Sequence, residues 1–273
     1  MGSLTIAHLI AAMGAAFLAG GVNSVAGGGT LITFPALLGL GLAPIPANAT
    51  STVAIWPGSL GSIWGFRREL AAVPRRMLLL AIPAVLGGLA GAWLLRRTPG
   101  QIFAHLVPFL ILFATVLFAV QAPVQRRLRA RAASHSLNDP GSPPADLATN
   151  TRTGMGIVAA GLAQFAVGIY GGYFGAGMSI MMLTLLASLG MDDILKMNAM
   201  TSFLSLCTNG VASVLFAAAH MVVWSYVLVM MAAALMGGYA AAGVARRIGR
   251  VIVRRFVIAV GFTIAVVLFV KMF

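Results

Sequence analysis

Apolar runs dominate the chain, broken by short polar or basic stretches. They fall at about 7–26, 30–42, 50–66, 77–95 and 102–120, then at about 155–173, 177–190, 199–218, 222–244 and 253–270. Roughly 20 apolar residues in helix cross a bilayer. Between the two sets lies QAPVQRRLRARAASHSLNDPGSPPADLATNTR, residues 121–152, rich in Arg, Pro, Ser and Asp. That composition predicts a solvated, flexible linker. The pattern predicts an all-α polytopic membrane protein with about ten transmembrane or re-entrant helices. It divides into a first transmembrane repeat (1–120), a cytoplasmic linker (121–153) and a second transmembrane repeat (154–273).

The two sets also match in detail. AGGGT at 26–30 aligns with FGAGM at 174–178, ANATST at 47–52 with MNAMTS at 197–202, and GGLAGAWLLRR at 87–97 with GGYAAAGVARR at 237–247. The offset is 148 residues before the loop that follows the second segment and 150 after it. Three matches in one order predict an internal repeat.

Composition narrows the class. Of the 273 residues, 60% are hydrophobic and 8% charged, against about a quarter charged in soluble domains. A single soluble core is excluded. The one cysteine, Cys207, permits no internal disulfide and reads as an inert core thiol. MGSLTIAHLIAAMGAAF has no basic stretch before its apolar run, so a cleaved signal peptide is not expected. The net charge of +13 would suggest nucleic acid in a soluble protein. Here no basic face or nucleic-acid motif accompanies it, and nucleic acid is not an expected partner. With the N-terminus outside and ten crossings, 15 of the 18 Lys and Arg residues fall inside and only Arg96, Arg97 and Lys271 outside. That bias sets orientation and places both termini outside. Five crossings per half is odd, so the second half runs inverted, as in many transporters.

The glycines in NSVAGGGTLITFP, residues 23–35, then acquire a purpose. The 13-residue run 30–42 spans roughly 20 Å, short of a hydrocarbon core of about 30 Å. Run 177–190 is nearly as short. Each follows a glycine-rich break: Gly27, Gly28 and Gly29, or Gly171, Gly172, Gly175 and Gly177. Short, glycine-interrupted segments at matching positions of inverted halves point to a transport site. Glycine lets a ligand reach peptide N–H groups, and a helix start offers unpaired N–H groups and a positive dipole end. That makes an anion site without lysine or arginine. Gly87, Gly88 and Gly91, like Gly237, Gly238 and Gly243, fit close helix packing instead. A nucleotide P-loop is excluded, since no Lys-Ser/Thr follows the glycines.

The polar groups agree. The five acids, Glu69, Asp139, Asp146, Asp192 and Asp193, all fall in predicted loops or the linker. Without a carboxylate at membrane depth, cation transport and an intramembrane phosphatase or other hydrolase are disfavoured. His105 is the one histidine well within a span, and it reads as a packing or interface residue. No catalytic residue, metal ligand or cofactor is assigned. The candidate substrate contacts are neutral: Asn23, Gly27, Gly28, Gly29 and Thr30; Asn48, Thr50, Ser51 and Thr52; Gly172, Gly175 and Gly177; Asn198, Thr201, Ser202 and Asn209. Asn48 and Asn198 also fit as helix N-caps. Pro57 should kink the third segment.

At these residues the chain resembles the TauE/SafE, or sulfite exporter, family of membrane permeases. The likeness covers both halves: the glycine break with Pro35 after it, the stretch at 47–52, and their repeats at 171–177 and 197–202. The second half departs with GAG at 175–177 where the first has GGG. The resemblance implies transport of small sulfur-containing anions, such as sulfite, sulfoacetate or other sulfonates, across the bacterial inner membrane. A potential negative inside favours anion exit by about 2.3 kcal/mol per charge per 100 mV, so export needs no coupling ion. The alternatives are an uptake permease for a related sulfur-containing or carboxylate anion with proton co-transport, and a scaffold protein. Bulk at Gly28 or Gly29 is expected to abolish transport.

Overall fold

A computed structural model of the chain describes residues 6–26, 28–138, 154–191, 193–248 and 250–272. Gly27, Asp192 and residues 139–153, with Asp139 and Asp146, lie outside the described residues. The described residues form helices without a strand. The first half holds α1 (Ile6–Ala26), α2 (Thr30–Gly39), α3 (Pro44–Ile55), α4 (Gly58–Gly65), α5 (Arg67–Ala71), α6 (Arg75–Leu78), α7 (Ala81–Arg97) and α8 (Gly100–Asn138). The second holds α9 (Gly154–Tyr173), α10 (Met178–Ser188), α11 (Ile194–Ala218), α12 (Trp224–Ile248) and α13 (Arg250–Met272).

Among the described residues four stretches are long and apolar enough to cross a membrane: Ile6–Asn23, Arg75–Arg97, Gly100–Gln121 and Ile194–Ala218. Thr30–Gly39, Met178–Ser188, Trp224–Tyr239 and Val257–Val270 are shorter apolar helices. Large apolar side chains such as Ile6, Leu162, Tyr239 and Val270 face outward, as lipid permits and water does not. Arg67 stacks 5.0 Å from the Trp64 ring and Arg97 4.7 Å from the Trp93 ring. Such aromatic and basic groups anchor helix ends at the membrane interface.

Two sequence expectations change. The third segment is not one kinked helix. Proline lacks an N–H donor, and the helix divides around Trp56 and Pro57 into α3 and α4. The linker expected from residue 121 starts later, because α8 continues as helix to Asn138 despite Pro108 and Pro123.

The closest helix crossings join the two halves. α1 packs along α12, α7 along α9, and α8 along α13. In lipid, where no hydrophobic drive brings helices together, small residues permit close van der Waals contact. A Cβ on Gly237 would collide with the Phe17 carbonyl oxygen, and one on Gly87 with that of Phe165. A Cβ on Gly20 would collide with the Ala234 oxygen, and one on Gly168 would sit 3.0 Å from the Ala84 oxygen. Each contact recurs with the halves exchanged. The packing expected of Gly87, Gly88, Gly91 and Gly237 holds, whereas Gly238 has looser surroundings. Gly243 lies in a part of α12 whose packing is outside the described residues.

Gly87→Leu and Gly237→Leu are expected to prevent recovery of a folded, monodisperse protein in detergent. Gly161→Ala, in open space on α9, should leave thermal unfolding unchanged or raise stability by up to about 1 kcal/mol. Differential scanning fluorimetry of the three variants checks this.

Candidate functional site

Both glycine breaks are fold-backs. After α1 the chain reverses, so that Gly29 lies beside Ala19, whose oxygen would be 2.8 Å from a Cβ there. After α9 it reverses again, and the Met178 sulfur lies against Gly171. The Tyr170 hydroxyl donates to the Ala176 carbonyl at 2.6 Å and ties that turn to α9. The reversals need left-handed backbone: φ is 86° at Gly28, 79° at Gly175 and 78° at Gly177. Side-chain-bearing residues adopt such angles at a cost. With ten and eleven residues, α2 and α10 extend roughly 15 Å, about half of a hydrocarbon core. Each then ends in a Schellman motif. Gly41 N–H donates to Leu38 O and Leu42 N–H to Leu37 O, and likewise Gly190 to Ala187 and Met191 to Leu186. Gly41 and Gly190 both have positive φ.

One helix backs both breaks. A Cβ on Gly28 would be 2.8 Å from the Phe118 ring, and one on Gly177 would be 3.4 Å from both the Ala114 oxygen and Leu117. Residues 114 to 118 cover about 6 Å of the α8 axis, so the two helix starts lie close together on it. Phe34 of α2 packs edge-on against Phe174 of the second break, with ring centroids 5.3 Å apart. The Asn48 amide, from α3, donates to the Tyr173 carbonyl at 3.0 Å. A residue of the first half therefore holds the end of the helix that leads into the second break.

The other candidates divide into supports and open positions. Asn48 and Asn198 are not N-caps: α3 is preceded by Ala43, and α11 is capped by Asp193, whose carboxylate accepts from Leu195 and Lys196 N–H. Thr50 Oγ1 accepts from Val223 N–H at 3.0 Å, the Ser51 and Thr33 hydroxyls share a 2.6 Å bond, and Thr52 donates to Asn48 O. These three hydroxyls serve the protein's own contacts. Gly172 is a packing residue, since a Cβ there would collide with the Gly88 oxygen. Gly28 and Gly29 carry packing duties too, so bulk there strains the backbone as well as any ligand contact. Asn23, Thr30, Asn198, Ser202 and Asn209 are half-buried, while Thr201 is buried. Asn209 Oδ1 would be 3.7 Å from a Cβ on Gly175.

The site is neutral. Among the described residues no cluster of His, Cys, Asp or Glu is arranged to hold a metal. Glu69 lies in α5, on the elbow between α4 and α7, and Asp193 is an exposed cap paired with Lys196 at 3.9 Å. His105 is exposed on α8, its ring 2.7 Å from the Gln101 oxygen. What the breaks offer is the start of two helices, where N–H groups lack intrahelical partners and the dipole favours an anion.

Sequence reasoning missed Thr33, Phe34, Tyr170, Phe174 and α8. Thr33, Phe34 and Phe174 stood inside quoted motifs without a role, and Tyr170 and α8 gain meaning through contacts with distant segments.

The described residues form a multi-helical, apolar protein with a broken helix in each half, and its relatives are membrane transporters. The chain belongs to the sulfite exporter TauE/SafE family, whose sequence model matches residues 12–268. It is 28% identical to a probable membrane transporter protein of Haemophilus influenzae, over 90% of this chain and 88% of that protein. It is 25% identical to the probable membrane transporter protein ORF9 of Sinorhizobium sp., over 95% and 92%. With the probable membrane transporter protein YfcA of Escherichia coli K12 it shares 24% over 90% and 83%. No solved structure matches the chain.

Removing the Asn48 amide leaves the half-buried Tyr173 carbonyl without this donor, and losing such a bond costs about 1 kcal/mol. Asn48→Ala should lower the unfolding temperature in detergent by several degrees, and Thr52→Ala, half-buried and bonded only within its own helix, by much less. Paired melts of the two variants check this ranking.

Proposed function

We propose that the protein exports small sulfur-containing anions, sulfite or organosulfonates such as sulfoacetate, across the bacterial inner membrane. The observation that carries this is the pair of fold-back helices whose starts converge on α8 without a charged side chain between them. Backbone N–H groups of Gly28, Gly29, Thr30, Gly177 and Ser179, with Asn209 beside Gly175, supply the anion's hydrogen bonds, while the Met178 N–H is held by the Gly175 carbonyl at 3.3 Å. The five-residue stretch 114–118 of α8 is the floor.

The mechanism is alternating access between inverted repeats. Three features support it: exchanged packing of α1 on α12 and α7 on α9, a fold-back in each half, and the paired terminal glycines. Gly41 and Gly190 stand 149 residues apart, between the offset of 148 before this loop and 150 after it. Rocking one repeat against the other opens the neutral site to each side in turn. The membrane potential drives the anion outward, and the site has no carboxylate to carry a coupling cation. The count of fifteen basic residues on one side supports a cytoplasmic linker with both termini outside.

Purified protein in liposomes loaded with labelled sulfite tests this. An imposed inside-negative potential should accelerate efflux at least tenfold over protein-free liposomes. Equal efflux in both would remove sulfite as substrate, and a panel of sulfonates and carboxylates would replace it. Flux independent of the potential would overturn uncoupled anion export.

A further inference from the structure

A buried polar seam without partners runs from the second break toward the cytoplasmic end. Gln164, on α9, is 0% exposed, yet neither its amide oxygen nor its amide nitrogen has a hydrogen-bond partner. Thr201, on α11, is 6% exposed, and its hydroxyl is likewise unpartnered. The neighbouring Ser205 hydroxyl finds only the Met182 sulfur at 3.6 Å, a weak acceptor. Buried polar groups are normally satisfied, and an orphan costs the full desolvation of that group.

Thr201 is conspicuous among helical threonines here. Thr33, Thr52, Thr98, Thr115 and Thr184 each return the hydroxyl to the carbonyl four residues back. Thr201 does not, although Met197 occupies that position.

Register places the orphans at one level. α9 and α11 run in the same direction. Ala160 near the start of α9 and Met197 near the start of α11 share one apolar cluster with Val73 and Met77. Further along, Gly171 meets Thr208, whose Cγ2 would be 2.9 Å from a Cβ on Gly171. Gln164 and Thr201 each stand seven residues before that contact, two helical turns or about 10 Å toward the basic end. In the first half the unpartnered atom at this level is Asn48 Oδ1, whose amide nitrogen is held by the Tyr173 carbonyl. The repeat offsets place Ala16 opposite Gln164, and Ser51, opposite Thr201, has its hydroxyl satisfied by Thr33.

We propose that Gln164 and Thr201 line the cytoplasmic leg of the permeation path, and that the structure shows this leg closed. When it opens, water and the passing anion take the hydrogen bonds that are unfilled here. The inference rests on the transporter reading, but not on which anion is carried.

Cysteine accessibility tests it without a substrate. In a Cys207→Ser background, Gln164→Cys, Thr201→Cys and the buried apolar control Met200→Cys are treated in membrane vesicles of each orientation with a membrane-impermeant thiol reagent. Labelling at 164 and 201 from the cytoplasmic face, at least tenfold faster than at 200, is expected. Equal inertness at all three positions, or labelling from the outer face alone, would overturn the proposal. A second readout uses Gln164→Met, which conserves volume. It should melt no lower than the parent, because no hydrogen bond is lost, while transport of a confirmed substrate falls at least tenfold. A lower melting temperature with unchanged transport would instead make Gln164 a packing residue. If sulfite is not carried at all, the accessibility result still decides this proposal.

Discussion

The structure depends on one constraint: backbone that leaves a helix inside a membrane must be covered by protein or meet a wet cavity. Both halves break a helix there and reverse the chain. Glycine supplies the left-handed angles at Gly28, Gly175 and Gly177. α8 then closes one side of both turns, through Phe118 on the first and Ala114 with Leu117 on the second. A break held this way keeps its peptide N–H groups at a fixed place. In the proposed function, the same geometry that would be a defect in an ordinary span serves as a neutral site for negative charge.

The halves are interlocked rather than side by side. The first helix of each packs on the fourth long segment of the other, α1 on α12 and α9 on α7. Each crossing is close enough that a single methyl group on Gly87 or Gly237 would meet carbonyl oxygen. Hydrogen bonds add links between halves: Asn48 to Tyr173, Trp56 to Leu206, Thr50 to Val223 and Thr208 to Ala84. A movement of one half is therefore felt at the break of the other, which is what coupled opening and closing requires.

Much of this was legible in the sequence where the signal is local. Apolar run length located the helices, and the glycines located both breaks, though not that the chain reverses at them. The packing glycines of α7 and Gly237 were distinguishable by their small-residue pattern. What depended on distant partners was not legible. Asn48 looked like a cap or a substrate contact, but it donates to Tyr173, 125 positions away. Ser51 looked free until Thr33, on another helix, took its hydroxyl. Gly172 stood next to a break yet packs on Gly88. The polar start of the linker looked like coil, but arginine and alanine favour helix and α8 carries on through it to Asn138.

The central claim is that the two helix starts hold the anion through backbone N–H groups. Selenite, the heavier congener of sulfite, scatters X-rays anomalously and shows its own position. Crystals of the protein grown with selenite should give one anomalous peak between Gly28–Thr30 and Gly177–Ser179, within hydrogen-bonding distance of peptide nitrogens and beside α8 at Ala114 to Phe118. A peak held by arginine side chains, or one remote from both breaks, would contradict the account.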